Sequence, residues 1–264
     1  MKNLYIFTGK GGVGKTSCSL AFCQYLQEQK KQTVYLTFDE TTTVDFSQDP
    51  MITHLNFELW DCVGLYLEQK FSSKIIAAVI MKTPFFRALI KMVPGFQYVI
   101  YLGRLVHLLK SSNDITYVLD SPSSGHLLTL FESAHLFKNI FGEGILAKDL
   151  NESLEYWNTV KPYQLNIVAL AKPSVLQESS ELQTMLQDKF EMNSHIFVNC
   201  SLPMALERED NENLPDFLRK KKNTELQAIE RFDSELKGQL PYSPALEYKN
   251  LVTELASYCP QFHS

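Results

Sequence analysis

Near the start of the chain the stretch Gly9-Lys10-Gly11-Gly12-Val13-Gly14-Lys15-Thr16 limits the possible folds more than any other feature. It follows a short apolar run, Leu4-Tyr5-Ile6-Phe7, that reads as a strand. It precedes Ser17-Cys18-Ser19-Leu20-Ala21-Phe22-Cys23-Gln24-Tyr25-Leu26, which reads as a helix. A glycine-rich turn between a strand and a helix leaves backbone N–H groups aimed into an open concavity. The positive end of the helix dipole lies behind it, so such a turn is a phosphate site. The spacing Gly9…Gly14-Lys15-Thr16 satisfies the phosphate-loop pattern G-x-x-x-x-G-K-S/T. In that pattern the backbone of Gly11, Gly12, Val13, Gly14, Lys15, Thr16 and Ser17 faces the phosphates. Lys15 reaches the β- and γ-phosphates, and the Thr16 hydroxyl holds Mg²⁺. Glycine is needed where a side chain would block the approach or where φ must be positive.

With 264 residues and 45% hydrophobic content, the chain suits one sizeable α/β domain with room for an inserted lobe. A formal net charge of −5 argues against a general nucleic-acid surface. The five cysteines, Cys18, Cys23, Cys62, Cys200 and Cys259, form no C-x-x-C pair. Neither a zinc site nor a redox motif is indicated, and each is expected to be a small buried hydrophobe. The chain begins as a strand and a phosphate loop rather than as a cleavable signal. No apolar run is both long enough and free enough of charge to read as a membrane span. The expectation is a cytoplasmic protein.

Along the chain, Thr33–Phe38 is a β-branched and apolar run with the pattern of a buried strand, and it ends in Asp39. Asn56–Asp61 reads as a short strand and Val63–Phe71 as a helix. Lys74–Lys110 is the most apolar region, cut into helix-length pieces by Lys82-Thr83-Pro84 and Pro94-Gly95. These pieces either pack on each other and on the sheet or leave an apolar patch exposed for a partner. Asp114–Pro122 reads as a turn, a buried strand and then Asp120, the arrangement that sets a carboxylate near Mg²⁺. Helices are expected at Leu127–Phe137, Asn139–Leu150 and Glu152–Val160. Gln164–Ala171 is a further buried strand, followed by a helix with Ser174 and Gln177 in capping-box spacing. Ser194–Cys200 is the next strand and carries Asn199 near its end. Pro203–Asn213 reads as an acidic loop, Phe217–Lys237 as a charged amphipathic helix with Arg219-Lys220-Lys221-Lys222 on a solvated face, and Leu246–Tyr258 as a closing helix. Asp39 and Asp120 sit where an open α/β sheet binds ligands, at the C-terminal ends of parallel strands. The expected fold is therefore a doubly wound, mostly parallel α/β sheet over residues 1–264 as one domain. A helical elaboration at 64–110 and 127–160 is expected to pack on it.

Lys10, a second lysine inside the loop, gives K-G-G-V-G-K-T. This resembles the deviant phosphate loop of the ATPases that include the arsenite pump, the tail-anchored-protein targeting factor, the Min and Par positioning proteins and the nitrogenase iron protein. Thr37-Phe38-Asp39 resembles the T-x-D-P-A switch of the arsenite-pump branch, with Glu40 and Thr41 in place of its proline and alanine. Asp120-Ser121-Pro122-Ser123-Ser124-Gly125-His126 resembles its second switch, D-x-P-A/P-S/T-G-H. The likeness runs over nearly the whole chain and is strongest at 4–26, 33–46 and 114–126.

The resemblance implies a Mg²⁺-dependent ATPase that dimerises around ATP, as a homodimer or with a related ATPase. Lys10 then acts across the dimer interface, and Asp39 orients the attacking water and lies at the metal. Asp120 holds Mg²⁺ through water, and Gly125 gives its N–H to the γ-phosphate. Asn199 reads adenine, as the bidentate capacity of an amide allows, and Pro241 flanks the base. The apolar lobe is implied to meet an apolar protein client or a membrane partner. It has no cysteine between Cys62 and Cys200, which argues against a metalloid site there. Glu40 and Thr41 motivate an alternative, a weakly or non-hydrolysing nucleotide-binding subunit paired with a related active ATPase.

Overall fold

Buried, near-continuous apolar strands need helices on both faces and crossovers between them, and the chain supplies both. The structure, a computed structural model, describes residues 2–38, 52–140, 144–207, 209 and 214–263. Its strands are β1 (Leu4–Thr8), β2 (Gln32–Phe38), β3 (Thr53–Phe57), β4 (Ile115–Asp120), β5 (Tyr163–Leu170), β6 (Ser194–Ser201) and β7 (Leu236–Pro241). They form a seven-stranded sheet of order β3-β2-β4-β1-β5-β6-β7, with parallel pairing throughout. The helices are α1 (Lys15–Glu28), α2 (Leu59–Phe71), α3 (Lys74–Lys82), α4 (Pro84–Met92), α5 (Phe96–Ser111), α6 (Ser124–Ile140), α7 (Ile145–Val160), α8 (Pro173–Phe190), α9 (Leu202–Ala205), α10 (Asp216–Phe232) and α11 (Tyr248–Ala256).

The fold is thus the doubly wound α/β sheet with helical elaboration that the sequence implies. β1 lies between β4 and β5. The chain builds outward on one side through β2 and β3, returns to insert β4, and then builds outward on the other side. Such a reversal opens a crevice at the C-terminal ends of the central strands. The loop Gly9–Gly14 leaves β1 at that end.

One face of the sheet is sealed by α1, α11 and a 3₁₀ turn at Cys259–His263. Phe22 of α1 packs against Tyr5 at 4.7 Å and near Phe262 at 5.8 Å. Phe262 in turn meets Phe7 edge-on at 5.0 Å and Phe197 at 4.5 Å. These rings are essentially fully buried, and offset or edge-on pairs add to the area they bury. On the other face Trp157 stacks on Tyr163 at 4.6 Å, joining α7 to β5.

Helices α2–α5 fall between β3 and β4, and α6 and α7 between β4 and β5. Pro84 and Pro94 break the apolar stretch where expected. The two readings of that stretch apply to different helices. Helix α5 buries Tyr98, Val99, Ile100, Tyr101, Leu102 and Leu105, whereas α3 buries only Ala77. Ile75 and Val79 of α3 are 78% and 63% exposed, and Phe85 of α4 is 77% exposed. No helix among the described residues is long and apolar enough to cross a membrane.

Several local expectations are corrected. The strand expected at Asn56–Asp61 is Thr53–Phe57, in register with β2 from Val34↔Thr53 to Phe38↔Phe57. Leu59, Trp60 and Asp61 instead open α2. Among the described residues of 124–160 there are two helices, not three, because Leu150, Asn151 and Glu152 carry no breaker and continue α7. Ser174 does not cap α8. Lys172 holds the cap position, and Pro173 takes the first helical position, where a missing N–H does no harm. Leu202–Ala205 is a helical turn capped by the Ser201 hydroxyl on Met204 N–H. Helix α10 stops at Phe232, so Lys237 belongs to β7. Cys200 is exposed, unlike the other four cysteines, which are buried.

Truncating Phe22 empties the middle of the aromatic cluster, so Phe22→Ala is expected to cost roughly 3–5 kcal/mol. Val79→Ser on exposed α3 is expected to stay within about 0.5 kcal/mol. Urea denaturation of both variants measures the difference, and equal losses would contradict this assignment of the core.

Candidate phosphate-binding site

The site is built at the turn from β1 into α1. Gly9 has φ +139°, and a Cβ there would stand 2.2 Å from the Val168 carbonyl oxygen of β5. Gly14 caps α1 with φ +91°, and a Cβ there would stand 2.2 Å from Asn199 Nδ2. Only glycine lets the loop lie this close to two neighbouring strands. Between them Gly11 and Gly12 are exposed, and their Cβ positions meet open space, while the Val13 side chain is buried as an anchor. The loop therefore presents backbone, not side chains, to open space at a helix N-terminus, an arrangement suited to an anion such as phosphate.

Three elements converge behind this turn. The Thr16 hydroxyl, in the first turn of α1, donates to Asp120 Oδ2 at the end of β4 (2.6 Å). The Tyr35 hydroxyl of β2 donates to the same oxygen (2.9 Å). The sheet register explains the second bond. Thr37 stands opposite Asp120, so Tyr35, two residues earlier on its strand, shares the face of Asp120. Burial pushes the Asp120 carboxyl above its ordinary value, against the opposing pulls of Thr16, Tyr35 and the Lys15 charge. Burial also lowers the Lys15 ammonium, and Asp120 opposes that shift. The Lys15 ammonium donates to the Lys10 carbonyl across the mouth of the loop (3.1 Å).

The remaining candidates are disposed as follows. Lys10 pairs with Glu178 of α8 at 2.7 Å, both side chains being about half exposed. Gly125 is exposed in the first turn of α6, which approaches the loop through Ser124 N–H donating to Gly9 O (3.1 Å). Asn199 is buried and donates from Nδ2 to the Val13 carbonyl (2.9 Å), leaving Oδ1 without a partner. Pro241 is buried at the end of β7, opposite Ser201. Ser17 is half-buried in the first turn of α1. Asp39, with Glu40 and Thr41, lies outside the described residues. No group of three or more His, Cys, Asp or Glu gathers to hold a metal among the described residues.

Two participants escaped sequence reasoning. Tyr35 read as one more apolar strand residue. Its signal was a phenol in a buried strand, which must find a partner. Glu178 falls within the helix expected after Gln164–Ala171, and nothing local marks it as the acid that meets Lys10.

Helix α5 joins this site to the helices above it. Its Tyr101 stacks on Phe38, the last residue of β2, at 5.1 Å. Its Tyr98 hydroxyl is bonded to His126, next to Gly125 (2.5 Å).

Residues 2–59 match a family model described as anion-transporting ATPase. The matched stretch holds β1, the glycine loop, α1, β2 and β3. It covers two of the three stretches in which the sequence resemblance is strongest, and it ends before Asp120. Fold and match together support a phosphate-loop NTPase-like protein.

A carboxyl whose pKa is raised on folding holds its proton more tightly folded than unfolded. Folding therefore gains as pH falls from the raised value towards the ordinary one, and that gain is lost as pH rises through the raised value. Asp120→Asn removes that charge and is expected to stabilise the nucleotide-free, magnesium-free chain at neutral pH. The advantage should shrink as pH falls towards the ordinary carboxylate range. Urea denaturation across pH measures this, and an advantage that grows towards acid would contradict it. Tyr35→Phe, which removes one donor, is expected to push the carboxyl of Asp120 higher still in a carboxyl NMR titration.

Proposed function

We propose that the chain is a Mg²⁺-dependent ATPase that pairs around ATP, with a second copy or a related chain, and uses hydrolysis to move an apolar helical lobe. The observation that carries this reading is the contact between Thr16 and Asp120. These are the two groups that hold the metal in phosphate-loop enzymes, and they come together beside a loop with open space over Gly11 and Gly12. The donor set, a hydroxyl and a carboxylate, also has the hard oxygen chemistry that Mg²⁺ takes. Mg²⁺ when bound would neutralise phosphate charge; Thr16 would hold it directly and Asp120 through water.

Lys15 and the loop amides would neutralise the β- and γ-phosphates, leaving Lys10 for a neighbour. An exposed ion pair such as Lys10–Glu178 is worth at most about 1 kcal/mol, so Lys10 is released at little cost when a partner's phosphates arrive. Asp39 would position the attacking water and lie at the metal, Gly125 would donate its N–H to the γ-phosphate, and Asn199 and Pro241 would frame the adenine. Catalysis of this kind is mainly positioning and electrostatics. Contacts of α5 with Phe38 and His126 link the segments next to Asp39 and Gly125 to the lobe, residues 64–110 and 127–160. Exposed Ile75, Val79 and Phe85 supply an apolar face for a protein client or membrane partner.

A second reading, a weakly or non-hydrolysing subunit beside a related active ATPase, is favoured by Glu40 and Thr41 in the first switch. Single-turnover hydrolysis on the purified chain separates the two. The main reading expects measurable hydrolysis that Asp39→Asn lowers by about 100-fold or more while ATP binding persists. Binding without turnover favours the second reading, and a full rate in Asp39→Asn rejects the role of Asp39. Solution mass is expected to double with a non-hydrolysable ATP analogue, and Lys10→Ala is expected to stay at the monomer mass.

A further inference from the structure

We propose that the cavity between α2, α5 and α7 binds a small amphipathic carboxylate, an acid with a compact aromatic or aliphatic body, whose carboxylate is held by Arg104. The cavity measures about 200 Å³. An apolar cavity of roughly 150 Å³ already admits a benzene ring. Its floor is apolar and includes buried Cys62, Val99, Ile100 and Leu150.

Gly103 keeps the space open. It lines the cavity in the middle of α5, and a Cβ at this position would meet nothing within 4 Å. A mid-helix glycine costs about 1 kcal/mol relative to alanine, and no close backbone approach requires it here.

The charges at the mouth select the ligand. Lys70 is neutralised by Asp149, at 2.5 Å, and the Tyr66 hydroxyl occupies the other oxygen of the same carboxylate (2.8 Å). The Lys110 ammonium lies over the Tyr156 ring, 5.0 Å from its centroid. Burial and the Arg104 charge both hold His107 below its ordinary value, so at neutral pH it is a hydrogen-bonding group rather than a cation. Glu152 is exposed at the rim and makes no ion pair with a described residue. Arg104 is half-buried, and its guanidinium, whose charge reaches Tyr117 and His107, makes no ion pair or side-chain hydrogen bond with any other described residue. A guanidinium partly removed from water lacks a counter-ion there, and its planar fork matches a carboxylate. Inorganic phosphate would satisfy the guanidinium but leave the apolar floor wet. A neutral apolar molecule would fill the floor but leave the guanidinium unpaired. An acid with an apolar body does both.

The inference is independent of what the phosphate loop binds. Calorimetric titration of the full-length chain with phenylacetate, and with its neutral isostere phenylacetamide, tests it. Saturable binding of phenylacetate is expected, with the amide at least about tenfold weaker. Arg104→Gln should weaken the acid by at least about tenfold and leave the amide unchanged. Gly103→Leu, which fills the cavity, should abolish binding of the acid without lowering the thermal midpoint. The proposal is overturned by no saturable phenylacetate binding, by equal affinity for acid and amide, or by acid binding that Arg104→Gln leaves intact. Should Gly103→Leu fail to fold, the Arg104→Gln comparison decides alone.

Discussion

The Asp120 carboxylate is held in a buried position by two hydroxyls from two other elements, and much of the architecture follows from that arrangement. A carboxylate taken out of water must be hydrogen-bonded or give up its charge. Thr16 supplies one donor because α1 starts where the glycine loop ends. Tyr35 supplies the other because β2 lies beside β4 in a register that puts it on the face of Asp120. Neither is possible unless β4 inserts between β1 and β2, so the strand order and the polar cluster imply each other. The return of the chain to the centre of the sheet, after a long helical excursion, is what sets Asp120 beside a loop formed at the start of the chain.

That excursion divides its labour among its helices. Helix α5 is core: it buries a nearly continuous apolar face and touches the ends of β2 and α6 through Tyr101 and Tyr98. Helices α3 and α4 are nearer the surface: Ile80, Met81, Phe86 and Ile90 pack inward, while Ile75, Val79, Phe85 and Met92 stay exposed. Of these exposed side chains, Ile75, Val79 and Phe85 are the ones the proposed partner face would use. Coupling between two sites needs a physical element that both can bias. Helix α5 has the contacts for such an element, since it is packed against the phosphate-loop side at one end and lines the α2–α7 cavity along another face.

The sheet, the glycine loop and the helix breaks were legible because each is encoded locally. A buried parallel strand writes itself as a continuous apolar run. A phosphate loop needs glycine where two strands crowd it, at Gly9 and Gly14. Pro84 and Pro94 break a helix wherever they fall. Errors came where local signals conflict or fall silent. Thr53 and His54 are polar enough to hide the start of β3, whose position is set by pairing with β2. Ser174 and Gln177 have capping-box spacing, but Pro173 beside them decides where α8 begins. The polar contacts of the site were the least legible. Tyr35 with Asp120 and Lys10 with Glu178 join residues far apart in sequence, and no periodicity carries such pairs. The family match likewise stops at residue 59, where the locally encoded first half of the sheet ends.

The central claim is that the turn after β1 grips a triphosphate together with a metal held at Thr16 and Asp120. Calorimetric titration with ATP, in magnesium and in chelator, tests it most directly when run on the wild type, Lys15→Ala and Thr16→Ala. The account expects one saturable site per chain that tightens with magnesium. It expects Lys15→Ala to weaken that site under both conditions, and Thr16→Ala to remove the magnesium dependence alone. Absence of ATP binding, or binding that neither substitution alters, would contradict it.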